Sequence, residues 1–158
     1  MTLYSVLVAD SPLQTIDHRD IQEMKIKELK QLYPITEDTP MQDWHSFDDD
    51  MRIVHAPDES AFKQLLIFEW QEPPYDLALY HDKNYVYGID GNWDSQFLDD
   101  FFVYLKQYIK PEQKVHLIRF WAGEGKRILK RRNIHIDEIE LHHLEMLEKE
   151  QYIRVAFI

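Results

Sequence analysis

The stretch YVYGIDGNWDSQFLDDFFVYLKQYI, residues 85–109, joins a strand pattern to a helix pattern and sets the class of fold. Its first six residues, YVYGID, combine β-branched and aromatic side chains in a short run, which predicts a strand. From Asn92, a good helix N-cap, apolar residues recur at spacings of three and four, which predicts an amphipathic helix over 92–109. The apolar stripe consists of Phe97, Leu98, Phe101, Leu105 and Tyr108. The stretch therefore predicts a sheet with a helix packed on it.

Short β-rich runs lie on both sides of this stretch. They are 3–9, 51–56, 63–70, 75–82, 114–123, 133–136 and 152–158. Lys83-Asn84 predicts a tight turn between 75–82 and the strand YVYGID, and short connections favour antiparallel pairing. A second main helix is predicted from Asp17 to about Leu32, closed by Pro34, and a short helix over 140–150. We therefore expect an α+β fold in one domain, 1–158: a largely antiparallel sheet of five to seven strands, with two main helices packed on one face.

The composition limits the classes of function. The chain of 158 residues has no cysteine, which excludes disulfides and thiolate metal sites. Its formal charge of −11 repels nucleic acid and anionic lipid and attracts basic partners. The sequence has no apolar run of about 18–20 residues and starts without the pattern of a signal peptide. We expect a soluble cytoplasmic protein with no cofactor, no nucleic-acid partner and no membrane partner.

An acidic segment with two aromatic residues, 34–50, is predicted to be a long loop. Loops of this length in a compact domain are often functional. The residues predicted to contact a protein partner are Trp44, Phe47, Asp48, Asp49 and Asp50. The alternative interpretation is that the two aromatic side chains attach an ordinary connection to the core.

The stretch IHIDEIELHHLE, residues 134–145, combines three histidines with four carboxylates. A small hydrolase or metal-dependent enzyme could use His135, His142 and His143 with nearby carboxylates. However, His142 and His143 are neighbours, so their side chains diverge by about 100° on a helix, and no HExxH arrangement is present. The alternative is the polar side of ordinary structure, with Leu144 and Leu147 packed inward. We therefore assign no metal ligand and no catalytic residue.

A basic run follows Gly125. It consists of Lys126, Arg127, Lys130, Arg131 and Arg132. These residues could hold a phosphate or an acidic surface, or they could neutralise the acidic stretch that follows. The sequence GEGK at 123–126 is not a phosphate loop, because Phe120 stands where glycine is required and Arg127 replaces the serine or threonine.

Four segments together resemble a small family of acidic bacterial proteins with no assigned activity. They are YVYGIDGNW, LDDFFVYLKQYI, VHLIRFWAGEG and LEMLEKEQYIRV. The resemblance covers about residues 75–158 and rests on core aromatic residues and turn glycines. It implies a shared fold and brings no catalytic residue and no ligand.

The sequence as a whole favours a non-enzymatic binding module that recognises another protein. The acidic charge, the aromatic residues of the loop and the lack of a catalytic constellation support this hypothesis. One concrete version is an immunity or inhibitor protein directed against a basic, toxin-like enzyme. The alternatives are the histidine-based enzyme described above and a homodimeric structural protein that pairs across a two-fold axis.

Overall fold

The computed structural model describes all 158 residues and divides them into two compact units. The larger unit comprises residues 1–19 and 63–158, and the smaller unit comprises residues 20–62. The strands and helices are β1 Thr2–Ala9, β2 Ile16–Asp17, β3 Gln22–Lys25, α1 Ile26–Leu32, β4 Arg52–His55, β5 Leu66–Glu69, β6 Tyr85–Asp90, α2 Ser95–Tyr108, β7 His116–Ala122, β8 Lys130–Ile134, α3 Leu141–Glu148 and β9 Ile153–Phe157. The organisation as a single domain stays a prediction.

The larger unit contains a seven-stranded sheet in the order β2-β5-β6-β1-β7-β9-β8. All neighbouring strands are antiparallel except β8 and β9, which are parallel. The predicted α+β class and the largely antiparallel sheet are therefore confirmed. The longest helix, α2, has 14 residues, and none of the helices combines the length and apolar character needed to cross a membrane.

Two helices cover one face of the sheet. Because side chains alternate along a strand, Leu7, Leu117 and Val155 point to the same face and are buried with residues of α2 and α3. The helical side chains in this core include Phe97, Phe101, Leu105, Leu144 and Leu147. Two helices on one face are thus confirmed, but they are α2 and α3, since α1 belongs to the smaller unit.

The opposite face of the sheet is covered by a short 3₁₀ helix, Tyr75–Leu79, and not by an α-helix. Leu77 and Tyr80 pack there against Val6, Ile118 and Phe120. The predicted strand 75–82 and its turn at 83–84 are therefore wrong. The two buried residues are three positions apart, which suits a turn of helix and not the alternation of a strand.

The predicted helix from Asp17 begins nine residues later, at Ile26. Asp17 accepts hydrogen bonds from the backbone of Arg19 at 2.9 Å and from its Nε at 3.0 Å, so its carboxylate closes a local turn and caps no helix. Within the smaller unit, residues 22–25 instead form β3, which pairs antiparallel with β4. Lys25 N donates to Glu28 Oε2 at 3.0 Å, where α1 starts.

Two other boundaries differ from the prediction. The N-cap of α2 is Asp94, whose carboxylate accepts a hydrogen bond from Phe97 N at 3.0 Å, and not Asn92. The strand predicted over 133–136 is β8, which begins earlier, at Lys130, and ends at Ile134. β8 is an edge strand with four exposed residues, so it lacks the apolar alternation by which a strand is recognised.

Candidate partner-binding surface

The predicted contact residues lie in the smaller unit, on a segment that runs along α1. Ile26 N donates to Met51 O at 2.8 Å, and Lys27 N donates to Asp49 O at 3.1 Å. These bonds satisfy amide groups of the first helical turn, which have no partner inside the helix. The backbone around Asp49 is therefore fixed, although the segment has no regular strand.

The two aromatic residues of the segment behave differently. Trp44 lies in a 3₁₀ helix, Asp43–Ser46, stacks on His45 with ring centroids 3.8 Å apart, and donates from Nε1 to Gln42 Oε1 at 2.9 Å. Trp44 is half-buried, and these two contacts lie within its own turn. Phe47 follows that turn and is 43% exposed, so its ring remains available to a partner.

The three aspartates form one exposed acidic turn directly after Phe47. Asp48 Oδ1 accepts a hydrogen bond from Asp50 N at 2.9 Å. Asp49 pairs with Lys30 at 2.6 Å, and Asp50 lies 3.7 Å from Lys25 Nζ. The side chains of Asp49 and Asp50 are 62% and 81% exposed. Ion pairs this exposed contribute little, so these carboxylates can turn to an incoming cation at small cost.

Exposed apolar side chains are concentrated in the same unit. Eight of the fifteen large hydrophobic residues exposed in the protein belong to residues 20–62. They are Leu32, Tyr33, Ile35, Met41, Phe47, Met51, Val54 and Phe62. The same 43 residues carry eleven carboxylates against four lysines and arginines, a net charge of −7 out of −11. We call these exposed apolar and acidic side chains of residues 20–62 the acidic–apolar surface.

The predicted contact residues include Phe47 and the three aspartates, but none of the other exposed apolar side chains of residues 20–62. Leu32, the predicted last residue of the helix from Asp17, is 59% exposed at the end of α1. The sequence LYPI at 32–35 contains a signal that could have revealed them, because Pro34 prevents a helix from continuing and burying Ile35.

The three histidines of the enzyme alternative do not share one site. The ring centres of His142 and His143 lie 4.1 Å apart, so these side chains do not diverge as predicted. His135 and His143 line a cavity of about 390 Å³ with Glu138, and His142 does not line it. His143 Nδ1 accepts a hydrogen bond from Glu140 N at 2.9 Å, which caps α3, while His142 pairs with the Glu140 carboxylate at 3.1 Å. No group of three or more histidine, aspartate or glutamate side chains has a geometry that could hold a metal ion. Leu144 and Leu147 are buried, as the polar-face interpretation predicts.

A buried arginine that the sequence analysis did not single out joins three elements of the larger unit. Arg119, on β7, is 5% exposed. Its Nε donates to Ser5 Oγ at 3.1 Å, and its Nη1 donates to Leu147 O at 2.5 Å and Glu148 O at 2.8 Å. The guanidinium also lies 4.3 Å from the ring centre of Trp93. Burial lowers the pKa of Arg119, and the Glu148 carboxylate opposes that shift. These bonds fix Arg119 between β1, β7 and α3, and the residue also lines a cavity of about 540 Å³.

Comparison with known proteins found no relative: no protein-family model matches the chain, and no curated protein or solved structure matches it. The functional argument therefore rests on the residues of this chain.

Proposed function

We propose that the protein is a non-enzymatic cytoplasmic binding module that recognises a basic protein through the acidic–apolar surface. One observation carries the proposal: residues 20–62 combine a net charge of −7 with eight exposed large hydrophobic side chains. Protein-binding surfaces typically combine apolar side chains with a polar, charged rim, and residues 20–62 expose both kinds of side chain. An inhibitor or immunity protein directed against a basic enzyme is the concrete form of this proposal.

The two kinds of side chain have separate tasks in such an interface. Exposed carboxylates attract a basic partner over a distance and raise the association rate constant. Apolar side chains that lose water on contact supply the affinity and slow dissociation. In this chain Asp48, Asp49 and Asp50 suit the first task, and Phe47, between the half-buried Trp44 and the acidic turn, suits the second.

The partner is first isolated by capture on tagged full-length protein from lysate of the native cell, with elution by salt. The purified partner is then used in stopped-flow association at low salt with Asp48→Asn/Asp49→Asn/Asp50→Asn. We expect the association rate constant to fall about tenfold or more, because steering scales with local charge. Phe47→Ala should leave that rate nearly unchanged and accelerate dissociation.

The matched control removes three exposed carboxylates from the larger unit instead, in Asp99→Asn/Glu112→Gln/Glu145→Gln. These side chains have no ion pair, and the change in net charge is the same. Association of this control at the wild-type rate supports a local acidic site. If both triple variants slow equally, only overall charge matters, and the assignment to residues 20–62 is lost.

A further inference from the structure

Four cationic side chains of the larger unit meet around one cavity of about 500 Å³, which we call the basic pocket. They are Lys126, Arg127, Arg131 and Arg154. The remaining lining residues are apolar or aromatic, namely Leu79, Tyr80, Ile128 and Leu129, and no carboxylate lines the cavity. The volume is in the range of sites for small molecules, about 300–1,000 Å³.

The basic run of the sequence does not act as one patch. Lys130 pairs with Glu150 at 2.6 Å, and Arg132 lines the cavity that contains His135. Only three members of the run reach the basic pocket, where Arg154, from β9, joins them. The pocket is therefore a product of the parallel pairing of β8 with β9.

This arrangement of cations is unfavourable without an anion. Arg131 and Arg154 are direct partners in the β8–β9 register, and like charges opposite each other destabilise a sheet. Lys126, Arg131 and Arg154 have no ion pair, and Arg127 has one, to Glu124 at 3.7 Å. The chain has 29 carboxylates for 18 lysines and arginines, so a lack of available counter-charges does not explain this clustering.

The pocket is also fixed in place by polar contacts that do not neutralise it. Arg154 donates from Nε and Nη2 to His116 Nδ1 at 2.9 and 2.6 Å, and from Nη1 to Tyr80 O at 3.3 Å. These bonds orient the guanidinium and leave two of its five N–H groups for a ligand. The Tyr80 hydroxyl accepts from Arg127 N at 3.0 Å and donates to Gly125 O at 3.2 Å, which holds the loop at the pocket.

We propose that the basic pocket binds the phosphate group of a small organic phosphate ester. Arginine forks match the geometry of phosphate oxygens, and several cations converging on one cavity suit a dianion. The apolar side chains Leu79 and Leu129 provide contact area for the organic part of the ligand. This site shares no residue with the acidic–apolar surface and does not rest on the proposed function.

The test is calorimetric titration of the full-length protein with phenyl phosphate and with inorganic phosphate, at constant ionic strength set by sodium chloride. We expect saturable one-to-one binding of phenyl phosphate, several-fold tighter than that of inorganic phosphate. Arg131→Gln should weaken it about tenfold or more, because a hydrogen bond to a charged group contributes at least that much. Arg131 is exposed, so this variant should fold, which circular dichroism checks.

Arg132→Gln is the matched control. Arg132 is the next residue of the same strand and loses the same charge, but it lines the other cavity. Binding by this control at wild-type affinity supports the proposal. Non-saturable binding, or equal weakening by both variants, would show a diffuse charge effect and overturn it. Equal affinity for phenyl phosphate and inorganic phosphate would overturn the assignment to an ester.

Discussion

Replacing Arg119 with methionine tests whether this buried cation holds the larger unit together. The side chain connects β7 to Ser5 on β1 and to the last carbonyls of α3 through three hydrogen bonds of 2.5–3.1 Å. A cation at that position also complements the negative end of the helix dipole. Leu147 O keeps another donor, Glu150 N at 3.0 Å, so Glu148 O is the carbonyl that Arg119→Met affects most.

The expected change in the free energy of unfolding for Arg119→Met is the sum of opposing contributions. Each hydrogen bond from a charged donor contributes about 1.5–3 kcal/mol, and the contact with Trp93 about 0.5–2 kcal/mol. Removing the guanidinium also removes the penalty for burying a charge, which is several kcal/mol. Methionine fills much of the volume and keeps a favourable sulfur contact with the indole. We therefore expect the free energy of unfolding to fall by about 2–4 kcal/mol, and Tm by roughly 4–16 °C.

Urea unfolding followed by tryptophan fluorescence measures this change. Arg119→Lys keeps a charge but loses the planar fork, so it should lie between wild type and Arg119→Met. The control Arg132→Met removes an exposed arginine from β8 and should change stability by less than about 0.5 kcal/mol. If Arg119→Met also stays within about 0.5 kcal/mol of wild type, the three hydrogen bonds do not stabilise the fold, and the reasoning is wrong.

Three further changes test the packing and the electrostatics of the larger unit. Burial, with the nearby charges of Arg154 and Lys83, lowers the pKa of His116 to about 4 from 6.5. Its contribution to stability is therefore complete above the unfolded value of 6.5 and is lost as the pH falls towards 4. His116→Asn keeps an acceptor for the Arg154 guanidinium but does not titrate. Chemical denaturation at a series of pH values should therefore show that the variant loses about 1–2 kcal/mol less free energy of unfolding than wild type between pH 6.5 and 4, after allowance for solvent screening. Equal losses in the two proteins would contradict the lowered pKa of His116. Leu77→Ala, at a fully buried site, should reduce the free energy of urea unfolding by about 2–5 kcal/mol. The control Leu79→Ala, at a side chain that is 40% exposed, should reduce it by less than about 1 kcal/mol. Similar reductions in the two variants would mean that the 3₁₀ helix does not cover the sheet. Gly91→Ala should lower Tm, because φ is +125° and the new Cβ would lie 2.7 Å from a backbone oxygen; an unchanged Tm would contradict that geometry.

The sequence predicts a strand or helix correctly where the spacing of its apolar residues matches the side chains that the folded element buries. The strand before Asp10, the helix after Asp94 and the last strand were all expected close to their observed limits, because each buries a regular stripe or run. The prediction of a strand over 75–82 is wrong for a physical reason. Its aromatic and aliphatic residues suit a strand by composition, while Leu77 and Tyr80 are buried with the period of a helical turn.

The two candidate sites also differ in how far the sequence predicts them. Phe47 and the aspartates are neighbours in the chain, so their joint exposure could be expected from sequence. The basic pocket could not, because Arg131 and Arg154 meet only through the parallel register of β8 with β9. An exposed edge strand gives no hydrophobic alternation from which that register can be derived.

The two proposed sites select ligands of opposite charge. A phosphate ester is repelled by residues 20–62, with their net charge of −7, and a basic protein is repelled by the four cations of the basic pocket. One ligand therefore cannot satisfy both sites through the same groups. Arg131→Gln should consequently leave association with a basic partner unchanged, and the triple aspartate variant should leave phosphate binding unchanged. If either variant affects both ligands, a charge effect of the whole protein, and not two separate sites, accounts for the binding.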